Sequence, residues 1–194
     1  MKLAAVERMA TRLLGCRFSP SPLCSRSLGR RALSSAAKSG RRVHEERRLL
    51  KYSNQELYAV VADVAKYKEF VPWCKNSVVT KGPSAGPGLQ ELQADLTVGF
   101  DLFNETYTSQ VQLQPFNSVV ATSQDTQLLE YLHTEWKFSP SASNPTSSCW
   151  VTFRVEFQFK SSLYSHVSAL FMREVTTNMV KAFEARCNQL HRRS

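Results

Sequence analysis

The 194-residue sequence has no long apolar run, few cysteines and no cluster of residues spaced as metal ligands. A membrane-spanning helix needs about 18 or more consecutive apolar residues, so the sequence predicts none. The five cysteines include no CxxC pair and no zinc-type spacing with the four histidines. Beyond residue 40 there are only Cys74, Cys149 and Cys187. This sparse, odd-numbered set indicates buried free thiols in a reducing compartment rather than disulfides.

The sequence also lacks the short motifs of common catalytic sites. It contains no HExxH, no nucleophile-elbow glycine pattern and no phosphate-binding loop. The histidines are scattered, at His44, His133, His166 and His191. His133 falls on the polar face of a predicted strand, where we expect it to pair with Glu135 at the surface. We therefore predict no catalytic residue, no metal site and no cofactor.

Acidic residues are scarce in the first quarter of the chain. Residues 1–48 hold twelve Lys or Arg against Glu7, Glu45 and Glu46, and this imbalance equals the whole net charge of +9. Residues 49–194 are neutral, with thirteen basic and thirteen acidic residues. A neutral body argues against a nucleic-acid-binding face, because phosphate recognition needs a basic patch. A neutral body could still carry a small basic patch.

Residues 1–43 are predicted to be a mitochondrial transit peptide and disordered leader. The first forty residues are rich in Arg, Ser and Ala, and Glu7 is the only acid among them. Arginines interrupt every apolar stretch that a secretory signal would need. Residues 31–33 before Ser34 resemble a matrix-protease cleavage site. The alternative is a disordered basic tail that binds anionic lipid or nucleic acid.

Residues 52–74 are predicted to form two short helices rich in aromatic side chains. Ser53 and Glu56 have the spacing of a capping box, which begins a helix. The apolar face of the first helix comprises Leu57, Val60, Val61 and Val64. The second, which carries Tyr67, Phe70 and Val71, ends at Pro72, because proline disfavours helix at the preceding residue.

Most of the remaining chain alternates apolar and polar residues, as half-buried strands do. The clearest strands are residues 92–100 and Cys149–Phe159, each with one nearly continuous apolar face. Further strands are predicted at residues 45–51, 76–81, 105–114, 119–120 and 127–138. The first is expected to lie at a sheet edge. Short links between the strands, with an evident hairpin loop at residues 139–148, predict an antiparallel sheet.

The chain ends in one long predicted helix, residues 162–191, with apolar residues at three- and four-residue steps. At ~1.5 Å per residue it would cross the whole sheet. We therefore predict an α+β helix-grip fold, in which a curved antiparallel sheet of about six to seven strands and two short N-terminal helices enclose a hydrophobic cavity with the long C-terminal helix.

Several segments resemble the mitochondrial coenzyme Q-binding proteins of the START superfamily. They are VVADVAKYKEFVPWCKNS (60–77), LTVGF (96–100), WKFSP (136–140), FRVEFQFKSSL (153–163) and VKAFEARC (180–187). The resemblance extends from about residue 44 to 190 and implies a START-like lipid-binding domain over residues 44–191. It implies binding of ubiquinone, or of its late precursors, without catalysis. It also implies a peripheral place on the matrix side of the inner membrane, near ubiquinone-synthesis or respiratory complexes.

The predicted cavity lining follows from strand and helix phase rather than from a family motif. It comprises Phe70, Val71, Pro72, Trp73, Leu92, Leu96, Val98, Phe100, Tyr107, Leu132, Trp136, Val151, Phe153, Val155, Phe157, Leu170, Phe171 and Val175. Phe70, Pro72 and Trp73 either fill the core or form an apolar mouth. Glu105 or Glu130 is expected to enter the cavity, as a partner of a quinone hydroxyl or as a strand-end residue. A long prenyl tail would overfill a pocket of ~300–1,000 Å³, so the ring and proximal tail are expected to bind.

Two other functions stay open. A helix-grip cyclase or aromatase would need paired polar groups at the cavity floor, whereas the predicted lining is mostly Leu, Val and Phe. A ribosome-associated regulator, as in bacterial relatives with an FVPWC-like pattern, would need a basic face that the neutral body does not predict.

Overall fold

The computed structural model describes residues 40–83, 86, 88–100, 103–124, 126–161 and 165–191. The predicted transit peptide lies almost wholly outside these residues. Within them, seven antiparallel strands form one sheet in the order β1-β7-β6-β5-β4-β3-β2. The strands are β1 (Arg42–Leu50), β2 (Cys74–Lys81), β3 (Gln90–Phe100), β4 (Phe103–Gln114), β5 (Ser118–Gln124), β6 (Leu129–Pro140) and β7 (Cys149–Phe159).

Among the described residues, short helices follow β1 and one long helix follows β7. They are α1 (Asn54–Ala62), a 3₁₀ turn (Val64–Lys66), α2 (Tyr67–Phe70) and the long α3 (Ser165–Leu190). α3 was predicted to begin at residue 162, but residues 162–164, including Leu163, lie outside the described part. The predicted order of elements and the antiparallel sheet are confirmed.

β7 has the predicted bounds and the predicted facing of its side chains. Cys149, Val151, Phe153, Val155, Phe157 and Phe159 alternate along it and are all buried. Successive side chains of a strand point to opposite faces, so these six define the side of the sheet that faces the core. We call this side the inner face.

β1 and β5 are longer than predicted. β1 begins at Arg42 rather than at residue 45, because it pairs with β7 along its whole length, from Arg42 opposite Phe157 to Leu50 opposite Cys149. It is an edge strand, as predicted. β5 runs over seven residues rather than two, since it lies between β4 and β6 and hydrogen-bonds to both.

β6 differs from its prediction at its start. The strand begins at Leu129 rather than at residue 127, and its register with β7 shifts between Leu129 and Tyr131. A bulge of this kind adds one residue to one strand and changes the phase of what precedes it. Leu129 therefore takes the buried position that the pattern had assigned to Leu128, while Trp136 and Phe138 face inward as predicted.

The short helices follow the predicted pattern closely. The Ser53 hydroxyl accepts from the Glu56 amide at 3.2 Å, and the Glu56 carboxylate accepts from the Ser53 amide at 2.7 Å, so the capping box is confirmed. α1 ends at Ala62, and Val64 packs from the 3₁₀ turn instead. The Ser77 hydroxyl of β2 donates to the Val64 carbonyl at 2.7 Å, which fixes the helical segment to the sheet.

The core forms where α1 and the C-terminal half of α3 meet the inner face. α1 contributes Leu57, Val60 and Val61, and α3 contributes Val180, Phe183 and Cys187. α1 also contacts α3, β5 and β6. Each fully buried apolar side chain contributes ~1.5–3 kcal/mol, so this layer holds α1 and α3 on the sheet.

Candidate functional site

One part of the inner face is closely packed. The Trp136 ring lies 4.4 Å from the Phe153 ring and 4.7 Å from the Phe183 ring, centroid to centroid. Phe70 of α2 stacks edge-on against Phe183 at 5.0 Å. Val151 is buried beside them. Four of the predicted lining residues thus pack within the hydrophobic core, and Phe70 does so as its core-filling alternative predicted.

A second part of the inner face keeps apolar surface exposed. Its residues are Leu96, Val98, Tyr107 and Leu132, each half-buried. Leu96 lies opposite Tyr107 across β3 and β4, and Leu132 lies opposite the buried Phe157 across β6 and β7. We call these four residues the open apolar patch. Exposed apolar surface on an inward side of a sheet is what an apolar ligand could cover.

Apart from the turn at residues 71–73, the remaining predicted lining residues divide into two groups. Leu92, Val155 and Phe157 lie on the inner face and are buried. The side chains of Phe100, Leu170, Phe171 and Val175 are outside the described part of the structure. The enclosed cavity and its contacts with a ligand therefore stay predictions.

The predicted mouth is a tight turn between α2 and β2. Val71, Pro72 and Trp73 are half-buried there. Trp73 has a φ of 62°, in the left-handed region that bulky residues rarely adopt. Its carbonyl accepts a hydrogen bond from the Gly99 amide at 2.9 Å, which joins this turn to the end of β3. Strained backbone of this kind costs about 1–3 kcal/mol and is concentrated at functional sites.

The two candidate glutamates lie on opposite faces of the sheet. Glu105 is buried on the inner face opposite Val98, and its carboxylate accepts from the Leu128 amide at 3.1 Å. Glu130 is exposed and accepts from Gln158 on the outside. Glu105 is therefore the one that points inward, and its hydrogen bond to the β5–β6 connection gives it a structural role.

Tyr107 places a hydroxyl near Glu105. Burial, and then the nearby Cys74 and Glu105, raise the pKa of Tyr107. The hydroxyl therefore keeps its proton at neutral pH and can donate a hydrogen bond. It is the polar group of the open apolar patch.

His133 faces outward, as predicted, but with another partner. Its Nδ1 lies 3.1 Å from the Thr122 hydroxyl, and its ring stacks on Tyr131. Glu135 forms its ion pair with Lys137 at 2.9 Å instead. Partial burial lowers the pKa of His133, with smaller opposing and supporting effects of nearby charges. The prediction of an outward-facing residue is confirmed, and Glu135 acts on His133 through its charge rather than through a hydrogen bond.

β1 places charged and polar side chains on the inner face, which the sequence analysis did not anticipate. His44 lies opposite Val155, Glu46 opposite Phe153 and Arg48 opposite Val151. All three are half-buried, whereas Glu45 and Arg47 between them are exposed. The alternation with Leu50 is only a weak signal for this facing, because a run of charges fits a solvent-exposed edge strand equally well.

Three side-chain polar atoms on the inner face, two on β1 and one on β5, have no hydrogen-bond partner in the described structure. They are His44 Nε2, Glu46 Oε1 and Ser123 Oγ, all buried. The other carboxylate oxygen of Glu46 accepts from Arg48 at 3.0 Å. Buried polar atoms are nearly always paired, so an unpaired group calls for a specific explanation.

The three cysteines of the described domain are free and buried, as predicted. Burial raises the pKa of Cys149 to about 11 and that of Cys187 to about 12. Burial also raises the pKa of Cys74. These groups are protonated thiols at neutral pH, and they pack as small apolar side chains.

Two surface concavities are lined by described residues away from the predicted lining. The larger, about 490 Å³, is lined by Lys51, Tyr52, Asn144, Ser147, Ser148, Asn188 and His191. The smaller, about 260 Å³, lies over β3, β4 and β5. No group of three or more His, Cys, Asp or Glu among the described residues could hold a metal ion. No described helix is long and apolar enough to cross a membrane.

Solved structures with the same arrangement of strands and helices define the fold. A START superfamily protein from Mycobacterium smegmatis aligns with a TM-score of 0.65 at 16% identity, over 78% of this chain and 99% of that one. The Zhui aromatase/cyclase from Streptomyces sp. R1128 aligns with a TM-score of 0.65 at 13% identity, over 77% of this chain and 95% of that one. The domain is thus a START-like helix-grip fold, as predicted.

The chain belongs to the polyketide cyclase/dehydrase and lipid transport family, whose model matches residues 50–184. It is 39% identical over 150 residues to the mitochondrial coenzyme Q-binding protein COQ10 homolog B of Xenopus laevis, covering 77% of this chain and 59% of that protein. It is 41% identical over 142 residues to the mitochondrial coenzyme Q-binding protein COQ10 of Drosophila melanogaster, covering 73% and 57%. The resemblance stated from sequence is confirmed. The chain spans less than two thirds of the length of these two relatives.

A bacterial relative carries a different name. The ribosome association toxin RatA of Vibrio cholerae is 29% identical over 147 residues, which cover 74% of this chain and 93% of that protein. The relatives of this chain therefore include proteins named for a lipid and proteins named for the ribosome.

Proposed function

We propose that this protein binds ubiquinone, or one of its late precursors, against the inner face of the sheet and acts as a carrier of that lipid. The open apolar patch carries the proposal, because Leu96, Val98 and Leu132 retain apolar surface on the side of the sheet where the core forms. Burying apolar surface stabilises a complex by about 25 cal/mol per Å², so a few isoprene units would contribute several kcal/mol. The names of the eukaryotic relatives support the same ligand.

The ring and the proximal tail are the parts that we expect to be bound. Ligand pockets are typically ~300–1,000 Å³, which is too small for a long prenyl tail. The distal tail would stay in the membrane or leave past the turn at Trp73 and Gly99. In this proposal the protein lies on the matrix side of the inner mitochondrial membrane and serves ubiquinone-synthesis or respiratory complexes.

Quinone extraction tests the binding. The full chain, purified from a ubiquinone-containing bacterium, should release quinone into organic solvent, detected by mass spectrometry. Leu96→Asp should retain much less, because it places a charge in the open apolar patch, whereas Asp95→Asn on the opposite face of β3 should retain as much as the wild type. Wild-type protein that never carries quinone and takes none up from liposomes would refute the proposal.

The location has its own test. Residues 1–45 fused to a fluorescent protein should direct it to mitochondria, as the Arg-rich and Ser-rich composition and the mitochondrial relatives suggest. A diffuse cytosolic signal would contradict import.

We further propose that the protein does not catalyse a reaction and needs no cofactor. The eukaryotic relatives are named for binding, although the Streptomyces fold relative is an aromatase/cyclase. Bound quinone should therefore be recovered with unchanged mass after prolonged incubation. A modified quinone or cyclised product would favour the enzyme.

Ribosome association is the second candidate, favoured by the match to the Vibrio protein along 93% of its length. It predicts co-sedimentation of the full chain with mitochondrial ribosomes at physiological salt. The neutral charge of residues 49–194 weighs against it.

A further inference from the structure

His44 and Glu46 form a polar pair on the apolar inner face. They are alternate residues of β1, so their Cα positions are about 6.8 Å apart and their side chains point the same way. Their cross-strand neighbours, Val155 and Phe153 of β7, are both buried. α3 runs against β1 and β7. The pair therefore lies between apolar neighbours and on the side of the sheet that the helix covers.

Each residue of this pair has one buried atom without a hydrogen-bond partner in the described structure, His44 Nε2 and Glu46 Oε1. The other side-chain oxygen of Glu46 forms an ion pair with Arg48 at 3.0 Å. The side chain of Glu46 is 19% exposed. An unsatisfied buried polar atom is costly and is rarely left so, and a ligand that pairs with it recovers that cost.

We propose that His44 and Glu46 bind the ring oxygens of the lipid, and that Glu46 selects a ring that carries a hydroxyl group over a fully oxidised quinone ring. This inference rests on the proposed function. A carboxylate can only accept hydrogen bonds. A quinol hydroxyl can donate to Glu46 Oε1, whereas a quinone carbonyl would face it oxygen to oxygen and repel it. His44 Nε2 can pair with an oxygen of either form, since an imidazole nitrogen donates or accepts according to its tautomer.

His44 and Glu46 lie close enough to the open apolar patch for one ligand to contact both. Neighbouring strands are about 4.8 Å apart, so Leu132 on β6 lies two strands, or about 10 Å, from β1. Between them stands Phe157 of β7, opposite both Arg42 and Leu132. A ring at His44 and Glu46 would therefore extend its prenyl tail over Leu132 towards Leu96 and Val98 on β3. The polar and apolar parts of one ligand fit two adjoining parts of one face.

The test compares the two redox forms of one probe. Full-length protein is titrated without oxygen with ubiquinol-2 and with ubiquinone-2, which share a short two-isoprene tail, and binding is followed by calorimetry. We expect the quinol to bind about tenfold more tightly, the effect of one hydrogen bond to a charged group. Glu46→Gln supplies an amide that donates, so its preference should disappear or reverse. Glu45→Gln makes the same change of charge at the neighbouring exposed position on the outer face and should keep the wild-type preference.

The outcomes separate this inference from the proposed function. Equal affinity of the wild type for both forms, or an unchanged preference in Glu46→Gln, would overturn the selection by Glu46 while leaving lipid binding in place. Binding of neither form by the wild type would refute the proposed function itself. The wild-type comparison needs no variant and decides the question even if Glu46→Gln fails to fold.

Discussion

The Gly99 amide donates a 2.9 Å hydrogen bond to the Trp73 carbonyl. This bond joins the FVPWC turn to the VGF segment, two of the segments on which the family resemblance rests. Beside it, Cys74 pairs with Val98, so β2 begins where β3 approaches its end. Two segments that are more than twenty residues apart in the sequence therefore form one edge of the sheet, next to the open apolar patch.

Trp73→Gly should impair lipid binding more than stability. Glycine adopts a positive φ without strain, and relief of about 1–3 kcal/mol would offset much of the packing that the indole provides. We expect the free energy of unfolding, measured with urea, to change by about 1 kcal/mol or less. Quinone retained on purification should fall several-fold if the indole borders the site of entry.

Phe116→Gly is the matched control for this variant. Phe116 also has a positive φ, 60°, but it is 49% exposed in the β4–β5 turn and stacks edge-on against Tyr58. Its replacement relieves the same kind of strain away from the proposed site and should leave quinone retention unchanged. A similar loss of quinone in both variants would show that the effect at Trp73 is general.

Val155→Glu and Thr152→Glu introduce the same side chain on opposite faces of β7. Val155 is 4% exposed on the inner face, and a charge there should destabilise the protein by at least about 3 kcal/mol. Thr152 lies between Arg47 and Lys137 on the outer face, where a carboxylate gains favourable neighbours and should change stability by about 0.5 kcal/mol or less. Urea unfolding measures both. Equal losses would contradict the assigned facing of the strand.

Sequence pattern predicted the parts of the fold in which local signals agree with packing. The bounds of β7 were predicted to the residue because every residue on its inner face is apolar, and the start of α1 was predicted because a capping box precedes its apolar face. β6 was predicted with its first residues out of phase, because a bulge depends on pairing with β7 and leaves no mark in the sequence of β6 alone.

The candidate site was predictable in its apolar part and not in its polar part. Leu96, Val98 and Leu132 face inward as their strand phase requires. His44 and Glu46 also face inward, but charged residues on an edge strand are ordinarily solvent-exposed, and only the pairing of β1 with the buried residues of β7 shows otherwise. The inward facing of His44 and Glu46 depends on which residues of β7 they lie opposite, and this register is not encoded in the sequence of β1 alone.

Ser53→Ala should destabilise the protein by about 1 kcal/mol. The substitution removes the hydroxyl that accepts from the Glu56 amide at 3.2 Å and leaves the first turn of α1 without its side-chain cap. Gln55→Ala is the control, because Gln55 is exposed in the same turn and its replacement should change stability by about 0.5 kcal/mol or less. An unchanged urea midpoint for Ser53→Ala would contradict a stabilising role for the cap.

The buried thiols should resist alkylation until the domain unfolds. Burial raises the pKa of Cys149 to about 11 and that of Cys187 to about 12, and the thiolate is the reactive species. Because these pKa values are above those of the same cysteines in the unfolded chain, the thiols of the folded state stay protonated up to a higher pH. That contribution to stability is complete below the unfolded pKa and is lost as the pH rises through the folded values.

Peptide mapping after iodoacetamide treatment near neutral pH should show slow labelling of both residues in the native protein and rapid labelling in urea. Equal rates in the two states would mean that the cysteines are accessible and that the packing of α3 on β7 is looser than the contacts of Cys187 and Phe183 imply.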